Sequence, residues 1–339
     1  MGFCMVIDVC LDKNSYKIYI QKGSINFLND YFDLNHKVLI VSDDHIPNEY
    51  VLNALSQIKD GYVLRFPQGE KNKTMETYQK ILSFLAENNF SRNDVILAIG
   101  GGLTSDIAGF AASTYMRGIP FYILPTTLLA DVDASIGGKV GVNFLNTKNL
   151  IGAFYQPKGV LIDVNTLYSL DDRIFDEGVA EIIKMAATSS KELFEYLENI
   201  DDIKNHLEEI IYQAIKIKAS VIEKDEKETN LRRVLNFGHT LGHAIEAKSN
   251  GGIYHGEAVA IGMNYFSYGL ANQRIKKLLE KYHLPTQNPY FIQDLIPYLS
   301  LDKKSEGENI TVVEVKEIGQ FELNKIPLKN LIKRLEEKR

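Results

Sequence analysis

Three histidines in the second half of the chain have a spacing that suits a metal site. His239 and His243 are four residues apart, and His255 follows twelve residues later, so three of only seven histidines fall close together. On a helix this four-residue spacing places two imidazoles on one face. Glu181 stands in an apolar helical run, where a buried carboxylate needs a partner. These residue types predict a zinc-type site, and three protein ligands would leave a position for substrate.

Spacing alone leaves two questions about these histidines open. It does not decide whether His239 and His243 both bind the metal. For any single histidine the simpler interpretation is an ordinary hydrogen-bonded residue, and only the clustering favours a metal or active site.

A glycine run is the second candidate for chemistry. Gly100, Gly101 and Gly102 follow an apolar run and precede a helical pattern that begins at Thr104. Backbone N–H groups at such a junction can approach a phosphate at the positive end of a helix. The run differs from the usual G-x-G-x-x-G fingerprint, so a tight structural turn is the alternative.

A third group of residues suits an anionic ligand. Thr126 and Thr127 end an apolar run, and Asp133, Gly137–Lys139 and Lys148 follow. The alternative is a flexible surface loop with a solvated lysine.

Cationic residues are concentrated near the glycine runs and the histidines, which suggests a small anionic substrate because the chain is acidic overall. They are Arg117, Lys139, Lys148, Lys184, Lys218, Arg232, Lys303 and Lys304.

The elements that must position these residues change character near residues 165–175. Before that point β-type runs alternate with helical patterns, which predicts a parallel α/β sheet. The predicted strands are 38–41, 95–99, 121–124 and 160–162, with an amphipathic helix at 74–88. After it, helical stretches predominate at 176–200, 202–226, 238–248 and 256–282, followed by a β ribbon at 309–323 and a charged, solvated helix at 328–338.

Length and composition describe an ordinary globular protein. The 339 residues suggest about two domains. The net charge of −6 argues against general binding to nucleic acids or anionic membranes. No apolar stretch reaches membrane-spanning length, and the first ten residues lack a secretory signal pattern. With only Cys4 and Cys10, a disulfide framework is not expected, which is typical of the cytoplasm.

Taken together, these motifs resemble the 3-dehydroquinate synthase family from end to end. The matching stretches occur in the family's order and are spread from residue 100 to residue 259. They are Gly100–Asp106, Thr114–Gly118, Pro125–Leu129, Ser135–Lys139, Lys148–Phe154, Gly178–Lys184, Leu235–His243 and His255–Val259.

The resemblance implies a dehydroquinate synthase-like fold. Residues 1–170 would form a Rossmann-like α/β domain that binds NAD, and residues 171–339 an all-α domain that binds zinc, or cobalt, and substrate. The active site would lie between them. The implied reaction is a step of the shikimate pathway, which leads to aromatic amino acids. It converts 3-deoxy-D-arabino-heptulosonate 7-phosphate to 3-dehydroquinate and phosphate by oxidation, β-elimination, re-reduction, ring opening and aldol closure. The resemblance also implies a cytoplasmic homodimer.

The resemblance assigns roles residue by residue. The implied metal ligands are Glu181, His239 and His255, which places His243 near the substrate instead. Arg117 would reach the site of a neighbouring subunit, and of the pair Lys303 and Lys304 we choose Lys304 as a substrate contact. The implied NAD contacts are Asp43, Glu70, Lys73, Gly102, Leu103, Thr104, Ser105, Asp106, Thr126, Thr127, Lys139, Lys148, Thr166 and Ser169. The remaining implied substrate contacts are Asp133, Lys139, Asn149, Lys184, Lys218, Arg232, Asn236 and His243.

The chain departs from the family pattern in two places. The usual Leu-Pro-x-Arg-Glu is here Leu170–Ile174, and His45 stands where an asparagine is common. The alternatives are another sugar phosphate cyclase, a metal-dependent alcohol or glycerol dehydrogenase, and a non-catalytic metal- or nucleotide-binding protein. Such dehydrogenases typically have an aspartate where Glu181 stands, lack the cationic residues and release reduced cofactor.

Overall fold

The structure is a computed structural model that describes residues 4–145, 147–299 and 309–338. The chain divides into two compact units, Met1–Asp171 and Asp172–Arg339. Lys303 and Lys304 lie outside the described residues, so the choice between them stays a prediction.

The first unit is built around a seven-stranded sheet in the order β1-β2-β9-β6-β5-β3-β4, and β7 and β8 form a separate antiparallel pair. The strands are β1 Met5–Val9, β2 Tyr16–Ile20, β3 Lys37–Asp43, β4 Asp60–Phe66, β5 Val95–Gly100, β6 Phe121–Pro125, β7 Lys139–Phe144, β8 Thr147–Phe154 and β9 Gly159–Ile162. The helices are α1 Asn48–Ser56, α2 Met75–Glu87 and α3 Gly102–Thr114.

All four predicted strands are present in this sheet, as are the predicted α2 helix and the α/β architecture. The pattern was readable because the central strands are buried on both faces: residues 38–41 and 95–99 are at most 1% exposed. Strands of this kind read as continuous runs of Val, Ile and Leu.

The topology places a ligand crevice at one edge of the sheet. From β3 the chain passes to β4 on one side and then to β5 on the other, and all three strands are parallel. In such sheets ligands bind outside the carboxyl ends of the strands where the winding direction reverses. This point lies after Asp43 of β3 and at Gly100 of β5.

The β7–β8 hairpin was not predicted, and it replaces the flexible loop considered for this segment. Lys139 begins β7, while Lys148 and Asn149 lie in β8. Gly141 pairs with Gly152, and a Cβ atom on Gly152 would come within 2.2 Å of the Val140 carbonyl oxygen. Glycine lowers the strand signal in a sequence although this close backbone approach requires it.

The second unit is mostly helical and carries one antiparallel ribbon of two strands, β10 Asn309–Glu314 and β11 Glu322–Pro327. Its helices are α4 Asp172–Ser189, α5 Lys191–Asn199, α6 Leu207–Lys224, α7 His239–Ser249, α8 His255–Tyr265, α9 Gly269–Lys281, α10 Ile292–Leu299 and α11 Leu328–Glu337. Within the described residues, no helix combines the length and apolar character needed to cross a membrane.

Two predicted helical stretches are each divided in the structure. Within the stretch 176–200, α4 ends at Ser189 and α5 begins at Lys191. Ser190 caps α5, since its Oγ accepts a hydrogen bond from the Leu193 amide at 3.1 Å. The stretch 256–282 divides into α8 and α9.

The ends of the second unit also differ from expectation. The predicted ribbon is present but extends to Pro327. The expectation of a solvated terminal helix was wrong for one face of α11, since Leu331 and Leu335 are at most 2% exposed.

Candidate active site

Glycines bring three helices of the second unit together around the predicted metal ligands. Glu181 lies within α4, and His239 and His255 are the first residues of α7 and α8. A Cβ atom on Gly256 would lie 2.4 Å from the Glu177 Cα, and one on Gly262 would lie 1.9 Å from the Gly238 carbonyl oxygen. Larger residues at these two positions would push α8 away from α4 and α7.

The three predicted ligands converge with a geometry that fits a divalent metal. The Glu181 Oε1 atom is 3.7 Å from His239 Nε2 and 3.6 Å from His255 Nε2. One ligand atom from each residue lies within 4.8 Å of the others. Two ligand atoms of a tetrahedral zinc ion, with bonds of about 2.1 Å, are roughly 3.4 Å apart. The donor set and its spacing therefore fit zinc.

The outer nitrogen of each imidazole is held by a hydrogen-bond partner. His239 Nδ1 is 3.1 Å from the Phe237 carbonyl oxygen, and His255 Nδ1 is 3.1 Å from Glu246 Oε2. A neutral imidazole that donates from Nδ1 presents the lone pair of Nε2, and such partners are typical around metal-binding histidines. Both rings are thus oriented to offer Nε2 to the shared ligand position.

The pKa values of His239 and His255 are shifted in opposite directions beside Glu181. The Glu181 carboxylate is fully buried and forms an ion pair with the buried Lys184. Burial, together with the Lys184 charge, holds the pKa of His239 well below its usual range. Burial also opposes a charge on His255, but hydrogen bonds to Glu181 and Glu246 outweigh it and raise its pKa to about 10. The carboxylates therefore stabilise positive charge here.

The first unit presents a second group of predicted residues at the carboxyl edge of its sheet. Asp43 ends β3, and its Oδ2 accepts a hydrogen bond from Thr104 Oγ1 at 3.0 Å, while its Oδ1 accepts one from the His45 amide at 3.0 Å. Thr104 lies in the first turn of α3, directly after the glycine run. The acidic end of β3 is thereby fixed beside the amino end of α3, where N–H groups suit a phosphate.

A polar network joins the segment before α2, the helix α3 and the β7–β8 hairpin. Lys73 forms an ion pair with Asp106, and its Nζ is 2.5 Å from Asn149 Oδ1. The Asn143 side chain donates to Glu70 Oε1 at 2.8 Å and accepts from the Asn149 amide at 2.9 Å. Burial raises the pKa of Asp106, and Lys73 partly offsets this rise. Four predicted residues are thus brought together.

Comparison with known proteins decides the family. The N-terminal 3-dehydroquinate synthase model matches residues 63–177, and the C-terminal model matches residues 178–305. A 3-dehydroquinate synthase from Helicobacter pylori (strain P12) is 43% identical, with 97% of this chain and 98% of that protein covered. The chain belongs to the 3-dehydroquinate synthase family.

Solved structures resemble this member of the 3-dehydroquinate synthase family over the whole chain. A 2-deoxy-scyllo-inosose synthase, solved with carbaglucose-6-phosphate, NAD+ and Co2+, has a TM-score of 0.88 at 25% identity and covers 98% of this chain and 100% of its own. The 2-epi-5-epi-valiolone synthase ValA from Streptomyces hygroscopicus subsp. jinggangensis 5008, solved with NAD+ and Zn2+, has a TM-score of 0.86 at 26% identity and covers 96% and 97%. Both cyclases are more distant than the dehydroquinate synthase relative, so the alternative functions are not favoured.

In the present chain, His243 lies beside the candidate metal ligands Glu181, His239 and His255 and is not one of them. Its ring centre is 5.1 Å from that of His239 and 6.0 Å from that of His255. Among the described residues, the cluster with metal-binding geometry contains Glu181, His239 and His255. His243 therefore lies outside the candidate metal cluster, and its contact with substrate stays a prediction.

The predicted cationic residues of the second unit that the structure describes are buried. Lys184, Lys218 and Arg232 are at most 4% exposed. Arg232 Nη1 donates to the Glu226 carbonyl oxygen at 2.6 Å, and Asn236 Nδ2 donates to Glu228 Oε1 at 3.1 Å. Buried cations of this kind suit the anionic groups of a sugar phosphate.

The remaining predicted residues of the first unit vary in exposure. The hydroxyls of Ser105 and Thr166 donate to backbone oxygens of Gly102 and Asp163, at 3.0 and 2.9 Å. The buried or partly buried residues are Gly102, Leu103, Thr126, Thr127 and Asp133, and the exposed ones are Glu70, Arg117, Lys139, Lys148, Asn149 and Ser169.

Sequence analysis did not identify three polar residues that contact predicted site residues: Asn143, Glu228 and Glu246. Glu246 had a readable signal, since it lies seven residues after His239 and therefore on nearly the same face of α7. Asn143 and Glu228 act through contacts between segments that no spacing rule connects.

Asp131, two residues before the predicted substrate contact Asp133, is a further titratable group. It is fully buried, and neither carboxylate oxygen has a hydrogen-bond partner among the described residues. Burial raises its pKa well above the usual range, and the Asp163 charge adds to this effect. The folded state therefore favours the protonated form, so the stability that this group contributes is lost as pH rises towards its folded-state pKa.

We expect Asp131→Asn to remove this part of the pH dependence. The variant should gain stability relative to the parent protein as pH rises from 5 to 8, because an amide cannot ionise. Urea unfolding at both pH values measures the difference, with Asp60→Asn at an exposed position as the control. If the free energy of unfolding changes with pH by the same amount in the parent protein and in Asp131→Asn, Asp131 does not cause the pH dependence.

Proposed function

We propose that the site residues described above carry out the 3-dehydroquinate synthase reaction, in which 3-deoxy-D-arabino-heptulosonate 7-phosphate yields 3-dehydroquinate and phosphate. The observation that carries this proposal is the convergence of Glu181, His239 and His255 in a chain of this family. The cofactors are NAD and a divalent metal, zinc or cobalt, as in the solved cyclases. The first unit would bind NAD, and the second unit the metal and substrate.

The metal group would be held by the three converging side chains. A divalent ion there would supply Lewis-acid polarisation of a substrate hydroxyl, which makes it easier for the oxygen to lose its proton and for the carbon that bears it to lose hydride. Glu246 and the Phe237 carbonyl oxygen keep the two imidazoles in the orientation that binds it.

Buried cations of the second unit would bind the anionic ends of the substrate. Lys184, Lys218 and Arg232 are removed from water, where charge-assisted hydrogen bonds to carboxylate and phosphate are strong. His243 and Asn236 would contact the substrate hydroxyls. A rigidly held substrate also favours the final ring closure, since orientation can lower a barrier by about 7–11 kcal/mol in good cases.

The carboxyl edge of the first unit would hold the dinucleotide. The amino end of α3 offers backbone N–H groups to the pyrophosphate, and Asp43 is placed to accept hydrogen bonds from a ribose. The network of Lys73, Asp106 and Asn149 then fixes the hairpin that carries Lys139 and Lys148.

The test is phosphate release from the heptulosonate phosphate by purified protein with NAD and zinc. We expect release that chelation by EDTA abolishes, without net accumulation of NADH at 340 nm, because the hydride returns to the substrate. Steady NADH formation with glycerol would favour a dehydrogenase instead. Absence of phosphate release in the zinc-loaded protein would refute the proposal.

We also propose a homodimer in the cytoplasm. Arg117 ends a short 3-10 helix, and just after it the Ile119 carbonyl oxygen accepts a hydrogen bond at 2.9 Å from the hydroxyl of Tyr155, the residue that follows β8. Large apolar side chains of this helix and of β8 are exposed: Met116 by 44%, Leu150 by 56% and Phe154 by 45%. An interface there would cover them and would present Arg117 to a partner.

We expect Leu150→Asp to convert a dimer of this chain into monomers, because it places a charge within the apolar contact. Light scattering after size-exclusion chromatography measures the change in mass. Leu52→Asp, at a similarly exposed leucine on α1, should leave the mass unchanged. A parent protein that is monomeric at micromolar concentration would contradict the proposed dimer.

A further inference from the structure

Arg173, in the segment Leu170–Ile174 that departs from the family pattern, contacts the start of α8 at several points. Its Nε and Nη2 atoms are 2.6 and 2.8 Å from the two carboxylate oxygens of Glu257, a bidentate ion pair. Nη2 also donates to the Gly252 carbonyl oxygen at 2.8 Å, and the guanidinium lies 3.8 Å from the centre of the Tyr254 ring. These contacts surround His255 on both sides along the chain.

Glu257 has a second role at the same helix start. Its Oε2 accepts a hydrogen bond from the Tyr254 amide at 2.8 Å, which satisfies the backbone N–H of the residue just before α8. The first residue of that helix is His255. The carboxylate that fixes where α8 begins is therefore also the carboxylate that Arg173 binds.

Arg173 stands on the same helix as Glu181. Both residues belong to α4, with Arg173 one residue after the helix begins and Glu181 two turns further on. The contacts of Arg173 thus connect the helix that carries the carboxylate ligand with the helix whose first residue is an imidazole ligand. Close packing of the same two helices at Gly256 and Glu177 continues this connection towards the metal group.

We propose that Arg173 is a positioning residue for the metal site: through Glu257, Tyr254 and Gly252 it sets the start of α8 and so the placement of His255 relative to Glu181. This inference rests on the proposed metal site. Arg173 stands shortly after the implied NAD contacts Thr166 and Ser169, but all of its contacts described above lie in the second unit.

The energetics separate positioning from simple stabilisation. The Arg173 side chain is 46% exposed, and a partly exposed ion pair contributes about 0–1 kcal/mol to stability. Loss of a residue that orients a metal ligand typically weakens metal binding by about 10- to 100-fold. An effect on zinc affinity that is large beside the effect on stability is therefore the signature of the proposed role.

The experiment measures zinc affinity by competition with a chromophoric chelator, using the full chain. We expect Arg173→Gln to weaken zinc binding at least about tenfold. Arg173→Lys, which keeps the charge but not the bidentate geometry, should recover part of the loss. NAD affinity, measured by calorimetry, should not change in either variant.

Arg274→Gln is the matched control. Arg274 also forms a bidentate pair, with Glu198 at 2.9 and 2.5 Å, and is 35% exposed in the same unit. Its loss should leave zinc affinity unchanged. A double-mutant cycle with Glu257→Gln should be strongly non-additive, because the bidentate contact between the two residues is already lost in each single variant.

The outcomes separate this inference from the proposed function. If Arg173→Gln binds zinc as tightly as the parent protein does, the positioning role is wrong while the metal site stands. Equal losses in Arg173→Gln and Arg274→Gln would also overturn it, since they would indicate general destabilisation. If the parent protein binds no zinc, the proposed function itself fails.

Discussion

Replacement of Glu181 by glutamine is expected to abolish zinc binding and to lower turnover by about a thousandfold or more, which corresponds to roughly 4 kcal/mol of transition-state stabilisation. A neutral amide is a poor zinc ligand, and only His239 and His255 would remain of the converging group. Metal content by atomic emission and phosphate release by a coupled assay measure the two effects. His255→Ala should likewise lose metal and activity while the protein stays folded.

A second variant separates metal loss from misfolding. Glu181→Asp keeps the negative charge beside Lys184 but withdraws the carboxylate by one methylene group, so it should fold and bind zinc more weakly. Glu198→Gln, a carboxylate of the same unit that pairs with Arg274, should keep both metal and activity. Stoichiometric zinc in Glu181→Gln or His255→Ala would show that the ligand set is wrong.

Replacement of Lys184 by methionine should destabilise the metal-free protein by about 3–5 kcal/mol. Both members of its ion pair with Glu181 are buried, at 1% and 0% exposure, so the variant removes one of the two cations, Lys184 and protonated His255, that face this carboxylate in the metal-free protein. Zinc would supply positive charge to the same carboxylate, and the loss should therefore be smaller with zinc present. Urea unfolding with EDTA and with excess zinc measures both values.

The matched control for this prediction is Lys191→Met. Lys191 forms an exposed pair with Glu195 at 3.8 Å in the same unit, and exposed pairs of this kind contribute less than about 1 kcal/mol. Its substitution should have little effect with or without zinc. A Lys184→Met variant that loses the same stability in EDTA and in zinc would contradict the idea that the metal and Lys184 compensate the same charge.

The elements of the fold were predictable to different degrees. Buried strands such as β3 and β5 have continuous apolar runs, so their sequence signal is local and strong. The β7–β8 hairpin has paired glycines at Gly141 and Gly152, which remove that signal even though the backbones require them. The division of the stretch 176–200 depended on one capping residue, Ser190, within an otherwise helical pattern.

The metal site shows the same division between local and distant information. Spacing along the chain indicated a histidine cluster but could not separate His243 from the ligands, because both α7 histidines share one helix face. The family resemblance assigned His239, and not His243, as the metal ligand from α7, and the distances from Glu181 to His239 and His255 agree with that assignment.

By itself the sequence determined which residue types were present, which segments were apolar, and which motifs stand in the order of this family, because these properties are local or shared with relatives. Only the tertiary structure decided that Glu246 orients His255, that Asn143 joins Glu70 to Asn149, and that Arg173 binds the start of α8. Each of these contacts joins residues on different elements, and contacts of that kind arise from packing, which no spacing along a single helix or strand encodes.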